Sequence, residues 1–128
     1  MDAMKTQGAF SWSELMTGDP AKAAEFYGSL FGWSISTMDM PEGKYFVAKV
    51  GETPVAGMMA CPDSSNKMPP SWSCYVTVDN VDATIAKCVS LGGTVLMPPM
   101  DVPTVGRMAC IRDAQGASVN VITYSYSA

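Results

Sequence analysis

The chain repeats itself. Ser11-Trp12-Ser13-Glu14-Leu15-Met16-Thr17-Gly18-Asp19 resembles Ser71-Trp72-Ser73-Cys74-Tyr75-Val76-Thr77-Val78-Asp79 at an offset of 60. Each copy runs into a helical pattern that ends in Leu and Gly, at Leu30-Phe31-Gly32-Trp33 and at Ser90-Leu91-Gly92-Gly93, and then closes with strand-like segments. A repeat unit of this size has one helix to cover one sheet face, so its other face needs a partner.

The first helix is signalled by Asp19 as N-cap and Pro20 at the first helical position. Ala23, Phe26, Tyr27, Leu30 and Phe31 fall on one face at helical spacing, and Gly32 ends the helix. The second helix starts near Asn80, carries Val81, Ile85, Cys88 and Val89 as its apolar stripe, and ends at Gly92-Gly93. Strands are expected at 10–17, 33–38, 45–50 and 54–60, and again at 72–78, 94–97, 107–112 and 118–124. Turns are signalled at Pro41-Glu42-Gly43, Val50-Gly51-Glu52 and Asp113-Ala114-Gln115-Gly116. The order is βαβββ, twice, within one α+β domain. The first module covers about 8–60, a Pro/Ser/Asn-rich linker covers 61–70, and the second module covers about 71–126. Side by side, two such sheets curl into an open cup, the natural seat for a ligand.

Composition narrows the chemistry. Hydrophobic residues make up 48% and charged residues 16%, which excludes a disordered chain. The net charge of -4, with Lys and Arg scattered, disfavours a nucleic-acid partner. No stretch has the roughly 20 apolar residues a membrane span needs, and Met1 to Phe10 lacks a signal core. A cytoplasmic protein with no membrane partner is expected. Cys61, Cys74, Cys88 and Cys110 form no CxxC pair and are expected to be free, buried thiols. The absence of histidine excludes a His general base and every imidazole-ligated metal site.

Several stretches together resemble the vicinal oxygen chelate superfamily, which includes glyoxalase I, bleomycin-resistance proteins and extradiol dioxygenases. They are Asp19-Pro20 leading to Phe26-Tyr27 and Leu30-Phe31-Gly32-Trp33, then Val78-Asp79-Asn80-Val81-Asp82, Gly92-Gly93 and Asp113-Ala114-Gln115-Gly116. The similarity is strongest to a glyoxalase-like "hydroxylase" subgroup with a Trp near the start of each module and a Met-Pro-Pro linker, here Met68-Pro69-Pro70. The resemblance implies the paired βαβββ cup, a homodimer, and, in metal-using members, a divalent ion held by the first and last strands of each module. Those positions map onto Trp12, Gly57, Ser73 (or Trp72) and Asn120. Strand alternation favours Ser73: Cys74, Val76 and Val78 then face the helix, while Ser73, Tyr75 and Thr77 face the cup. Trp and Gly offer no ligating group, and Ser and Asn are weak neutral donors, so neither a metal nor another cofactor is expected.

The candidate site residues are therefore Trp12, Glu14, Ser73, Tyr75 and Asn120 as ligand contacts, with Glu14 as the candidate catalytic residue. Trp12 offers an aromatic wall or simply packs the sheet; Trp72 reads as the helix-side counterpart. Glu14, on the same face as Trp12, could serve as a general base, hold a ligand amine or hydroxyl, or sit in solvent at the rim. Tyr75 could donate to a ligand carbonyl, and the Asn120 amide suits a ligand or a water. Arg107 and Arg112 read as surface charges or anion clamps. Met38, Met40, Met58, Met59, Met97, Met100 and Met108 are soft filling for a core or an adaptable pocket. The leading expectation is a module that binds a small, partly apolar metabolite or drug. The alternatives are a metal-independent lyase, isomerase or hydrolase using Glu14 as base, and a metal-dependent glyoxalase or dioxygenase.

Overall fold

The structure is a computed structural model that describes residues 1–40, 43–61 and 69–125. Pro41-Glu42 of the first expected turn and 62–68 of the expected linker lie outside the described residues. The chain forms two compact units, Trp12–Trp72 and Met1–Ser11 with Ser73–Ala128.

The unit built on the first repeat contains most of β1 (Phe10–Thr17), then α1 (Pro20–Phe31), β2 (Ser34–Met40), β3 (Gly43–Val50) and β4 (Thr53–Ala60). Its strands lie in the order β2-β3-β4-β1. β1 runs parallel to β4, with Glu14 opposite Gly57. The other neighbours are antiparallel. The parallel pair requires a crossover, which α1 supplies. Asp19 Oδ1 accepts from Lys22 N at 3.1 Å and caps the helix start, with Pro20 in its first turn. Gly32, at φ 73°, ends it by donating its N–H to Gly28 O at 2.9 Å.

The face of α1 differs from the sequence expectation. Ala24 is the buried helix residue, with Ala23 and Tyr27 beside it, while Phe26, Leu30 and Phe31 are exposed. The helix meets the sheet through Ala24, which packs among Leu15, Ala48, Ala56 and Met58, with Ala23 and Tyr27 at the edge of that core. The core under it is Leu15, Ala24, Ala48, Ala56 and Met58.

The second unit repeats the pattern with β5 (Ser71–Thr77), α2 (Val81–Ser90), β6 (Thr94–Val102), β7 (Gly106–Arg112) and β8 (Ser118–Tyr124). Its strand order is β5-β8-β7-β6, with β5 parallel to β8 and Tyr75 opposite Asn120. Asn80 Oδ1 caps α2 by accepting from Ala83 N at 3.0 Å. Val78, Val81, Ala109 and Val121 form the core, with Ile85 and Ile111 against it. Val89, expected in the apolar stripe, is exposed. β6 runs through Pro98 and Pro99, well past the expected end at Met97. The strand tolerates two prolines because it is an edge strand with register shifts around Met97. A short 3-10 turn at Ala3–Lys5 lies on this unit, where Thr77 Oγ1 donates to Ala3 O at 2.7 Å.

The turn at Asp113 is built as expected: its Oδ1 accepts from Gln115 N at 2.8 Å and Ala117 N at 3.1 Å, and Gly116 takes φ 103°. These backbone donors hold the Asp113 carboxyl below its usual range. All four cysteines are free, but they are not buried as expected: Cys74 is exposed and the others half-buried. Cys74 lies early in β5, ahead of Val78, where the α2 core begins. Among the described residues, no helix is long and apolar enough to cross a membrane.

Candidate functional site

Strand alternation sorts the β1 residues onto two faces. Leu15 packs into the α1 core, so Trp12 and Glu14 lie on the opposite face. The same reasoning puts Tyr45 and Val47 opposite Phe46 and Ala48, and Gly57 opposite Ala56 and Met58. On this face Glu14 is a buried carboxylate, 6% exposed. The Tyr45 hydroxyl donates to Glu14 Oε2 at 2.8 Å and accepts from Trp12 Nε1 at 3.0 Å. A carboxylate so deeply buried needs hydrogen-bond donors, and the phenol supplies one.

Tyr45 stands on β3, whereas Trp12 and Glu14 stand on β1, with β4 between them. Its ring must therefore cross β4, spanning about two strand spacings of ~4.8 Å. It crosses at Gly57: a Cβ built there would fall inside the Tyr45 phenol. Only glycine permits that approach. Tyr45 was not among the candidates expected from the sequence. The signal available for it was the isolated glycine in an apolar strand, which marks close approach by another group.

The second unit also has a polar face opposite its helix. Val78 and Val121 belong to the α2 core, so Tyr75, Thr77 and Asn120 point away from it. Asn120 is 8% exposed; its Nδ2 donates to Ser73 Oγ at 3.3 Å and to Cys74 O at 3.4 Å. The Tyr75 hydroxyl donates to Met108 Sδ at 3.9 Å. Cys110 pairs with Asn120 in the β7/β8 register, and burial pushes its thiol up, which keeps it neutral. Ser73, Tyr75 and Asn120 thus share one face of their module, and Trp12 and Glu14 share one face of theirs.

Trp72 has another role. It packs edge-on against Tyr27 at 5.3 Å between ring centroids and lies 6.3 Å from Trp33. Its Nε1 donates to the Tyr27 hydroxyl at 3.3 Å. It is thus part of the aromatic cluster beside α1, which borders a shallow cleft of about 320 Å³ lined by Ser13, Tyr27, Phe31, Trp33, Val55, Ala56 and Trp72. Arg107 is committed to ion pairs, with Asp82 at 2.7 Å and Asp101 at 3.1 Å. Its guanidinium lowers the Asp82 carboxyl, and the carboxylates raise Arg107 in return.

The positions where the resemblance places cation ligands do not suit one. Trp12 presents an indole, and its N–H is spent on Tyr45. Gly57 presents a hydrogen, and the space above it holds a phenol ring. Ser73 and Asn120 are neutral and bonded to each other. Among the described residues, no three His, Cys, Asp or Glu side chains converge as a metal site would need.

Comparison with known proteins agrees with the fold. The family model described as the Glyoxalase/Bleomycin resistance protein/Dioxygenase superfamily matches residues 9–121. The protein CFP32 of Mycobacterium tuberculosis, which carries a provisional glyoxylase name, is 40% identical over 118 residues, covering 90% of this chain and 45% of its own. The anthracycline biosynthesis protein DnrV of Streptomyces peucetius is 33% identical, covering 89% of this chain and 46% of its own. The chain therefore spans less than half the length of these curated relatives. A solved methylmalonyl-CoA epimerase from Mycobacterium tuberculosis superposes with a TM-score of 0.71 at 17% identity, covering 95% of this chain and 92% of that one. At that identity the likeness speaks for the fold alone. With a family model spanning most of its length and both βαβββ repeats in place, the chain belongs to the Glyoxalase/Bleomycin resistance protein/Dioxygenase superfamily, the vicinal oxygen chelate group.

Proposed function

We propose that this chain binds a small, partly apolar metabolite or drug through the sheet faces that point away from its helices. Trp12 and Glu14 are the contacts assigned to the first module, and Ser73, Tyr75 and Asn120 those assigned to the second. The observation that carries this reading is the buried Glu14 carboxylate, fixed beside the Trp12 indole by Tyr45 on a face that takes no part in the α1 core. Burying a carboxylate is costly, and a chain built only for packing has no need of one there. Apolar walls with a few fixed polar groups are how small-molecule sites achieve selectivity. The reading makes the protein a cytoplasmic homodimer that binds its ligand without a cation. The relatives' names, one a glyoxylase and one from anthracycline biosynthesis, are compatible with organic ligands of this size.

A thermal-shift screen of metabolites and antibiotics, run with and without chelator, tests the proposal. At least one compound should raise the melting temperature equally in both conditions. No shift across a broad set, or a shift abolished by chelator, contradicts it.

The burial of Glu14 also favours a second reading, in which the protein is a metal-independent lyase or isomerase. Glu14 then takes a proton from carbon next to a substrate carbonyl. Unchanged turnover in Glu14→Gln eliminates this reading.

A further inference from the structure

We infer that the cleft beside α1 is a second binding site, suited to the quaternary ammonium group of a small molecule. The inference goes beyond the proposed function. The cleft takes in Ser13 and Ala56, which lie on the side of the sheet away from Trp12, Glu14 and Gly57.

The cleft has a floor and walls. Ser13 on β1 and Ala56 on β4 stand opposite each other, and both side chains are small. Around the opening of about 320 Å³ stand Tyr27 and Phe31 of α1, Trp33 just after it, and Trp72 near the start of β5. Phe31 is 57% exposed and Trp72 39%, so a ligand reaches the cleft from solvent. Among the described residues, no charged side chain lines it.

Four aromatic rings at one opening narrow the ligand chemistry. An aromatic ring is negative on its faces, so such walls attract a cation and repel an anion. The net charge of -4 acts in the same direction. The arrangement of the rings disfavours a flat guest. Tyr27 and Phe31 are nearly parallel, at 17°, but their centroids are 5.9 Å apart, so they stack on each other and leave no slot for a third ring. Trp72 stands at 77° to Tyr27 and 76° to Trp33. A flat ring can stack on one of two such walls, whereas a rounded group can touch both.

The same lining selects among cations. A primary ammonium is strongly hydrated and brings three N–H donors, and an apolar lining does not replace the water it would lose. The Ser13 hydroxyl is the small polar group on the floor, and the Tyr27 hydroxyl already accepts from Trp72 Nε1 at 3.3 Å. A quaternary ammonium has no N–H to satisfy, and its methyl groups pack against apolar walls while its charge meets the rings.

Choline and its neutral isostere 3,3-dimethyl-1-butanol test this directly, because they share a shape and differ in charge. The chain has three tryptophans, two of them at the cleft, and Trp12→Phe and Trp72→Phe assign their indole N–H resonances. At constant ionic strength, choline should move the Trp33 and Trp72 resonances saturably and leave Trp12 in place. The isostere should bind several-fold more weakly. Trp72→Leu keeps an apolar wall but removes a ring; it should weaken choline several-fold and change the isostere little. If Trp72→Leu does not fold, Phe31→Leu, at a more exposed position, takes its place. Equal binding of choline and the isostere would show a merely apolar cleft and overturn the inference. The absence of a saturable shift, a choline shift confined to Trp12, or choline binding undiminished in the folded variant overturns it as well. A compound screen that finds no ligand for the Trp12 and Glu14 face counts against the proposed function and leaves these results unchanged.

Discussion

The Tyr45 hydroxyl reaches Glu14 Oε2 at 2.8 Å because Gly57, on the strand between them, has no side chain. Glycine and tyrosine are thus one structural unit, and each should tolerate change only with the other. Gly57→Ala should destabilise the protein by about 1–3 kcal/mol, the usual cost of overpacking. In a Tyr45→Ala background the same change should cost much less. A double-mutant cycle from urea unfolding measures the difference. Additive penalties would show that Tyr45 does not lie over Gly57.

Glu14→Ala leaves the Tyr45 hydroxyl without its carboxylate acceptor on a face where Glu14 is 6% exposed. The expected loss is about 1.5–3 kcal/mol, the usual worth of a hydrogen bond to a charged group. Glu14→Gln retains an acceptor oxygen for the phenol and should lose clearly less. Chemical denaturation of both variants checks the order, and equal losses would contradict it.

The orientation of α1 is open to the same kind of test. Ala24→Leu should cost about 1–3 kcal/mol, because Ala24 is 4% exposed and sits in the core between helix and sheet. Leu30→Ser should stay within about 0.5 kcal/mol, as for an ordinary surface change, because Leu30 is 58% exposed. The reverse order would restore the helix face expected from periodicity.

That helix shows where sequence reading stopped. The helix caps and the turn at Asp113 were legible because they are local: Asp19, Pro20 and Gly32 bound α1 through contacts within a few residues. The apolar spacing of Phe26, Leu30 and Phe31 marked a helix correctly but misplaced its buried face. That face is set by the partners Ala24 finds on β1, β3 and β4, namely Leu15, Ala48, Ala56 and Met58. Trp12 and Glu14 were placed on one face by alternation alone. Tyr45 was missed because it is 31 positions from Glu14 and joins it across an intervening strand. No local pattern records such a contact; the lone glycine at 57 was its trace.

Acid sensitivity should come in part from Asp82. The Arg107 side chain lowers its carboxyl in the folded protein, below the ordinary aspartate value. Stability from this pair is therefore present above that value and is lost as pH falls through the lower folded one. Both groups lie at the surface, so the effect should be small and weakened by salt. Urea midpoints measured from neutral to acid pH should fall less steeply for Arg107→Ala than for the unsubstituted protein. Parallel curves would contradict the assignment.

In the proposed function the face that carries Trp12 and Glu14 meets the ligand. The most direct measurement is the Trp12 indole N–H resonance during titration with a compound that raises the melting temperature. That resonance should shift in a saturable way in the unsubstituted protein, and only at many-fold higher concentration in Glu14→Gln. A bound compound that leaves the Trp12 resonance where it was, or that binds Glu14→Gln equally well, would contradict it.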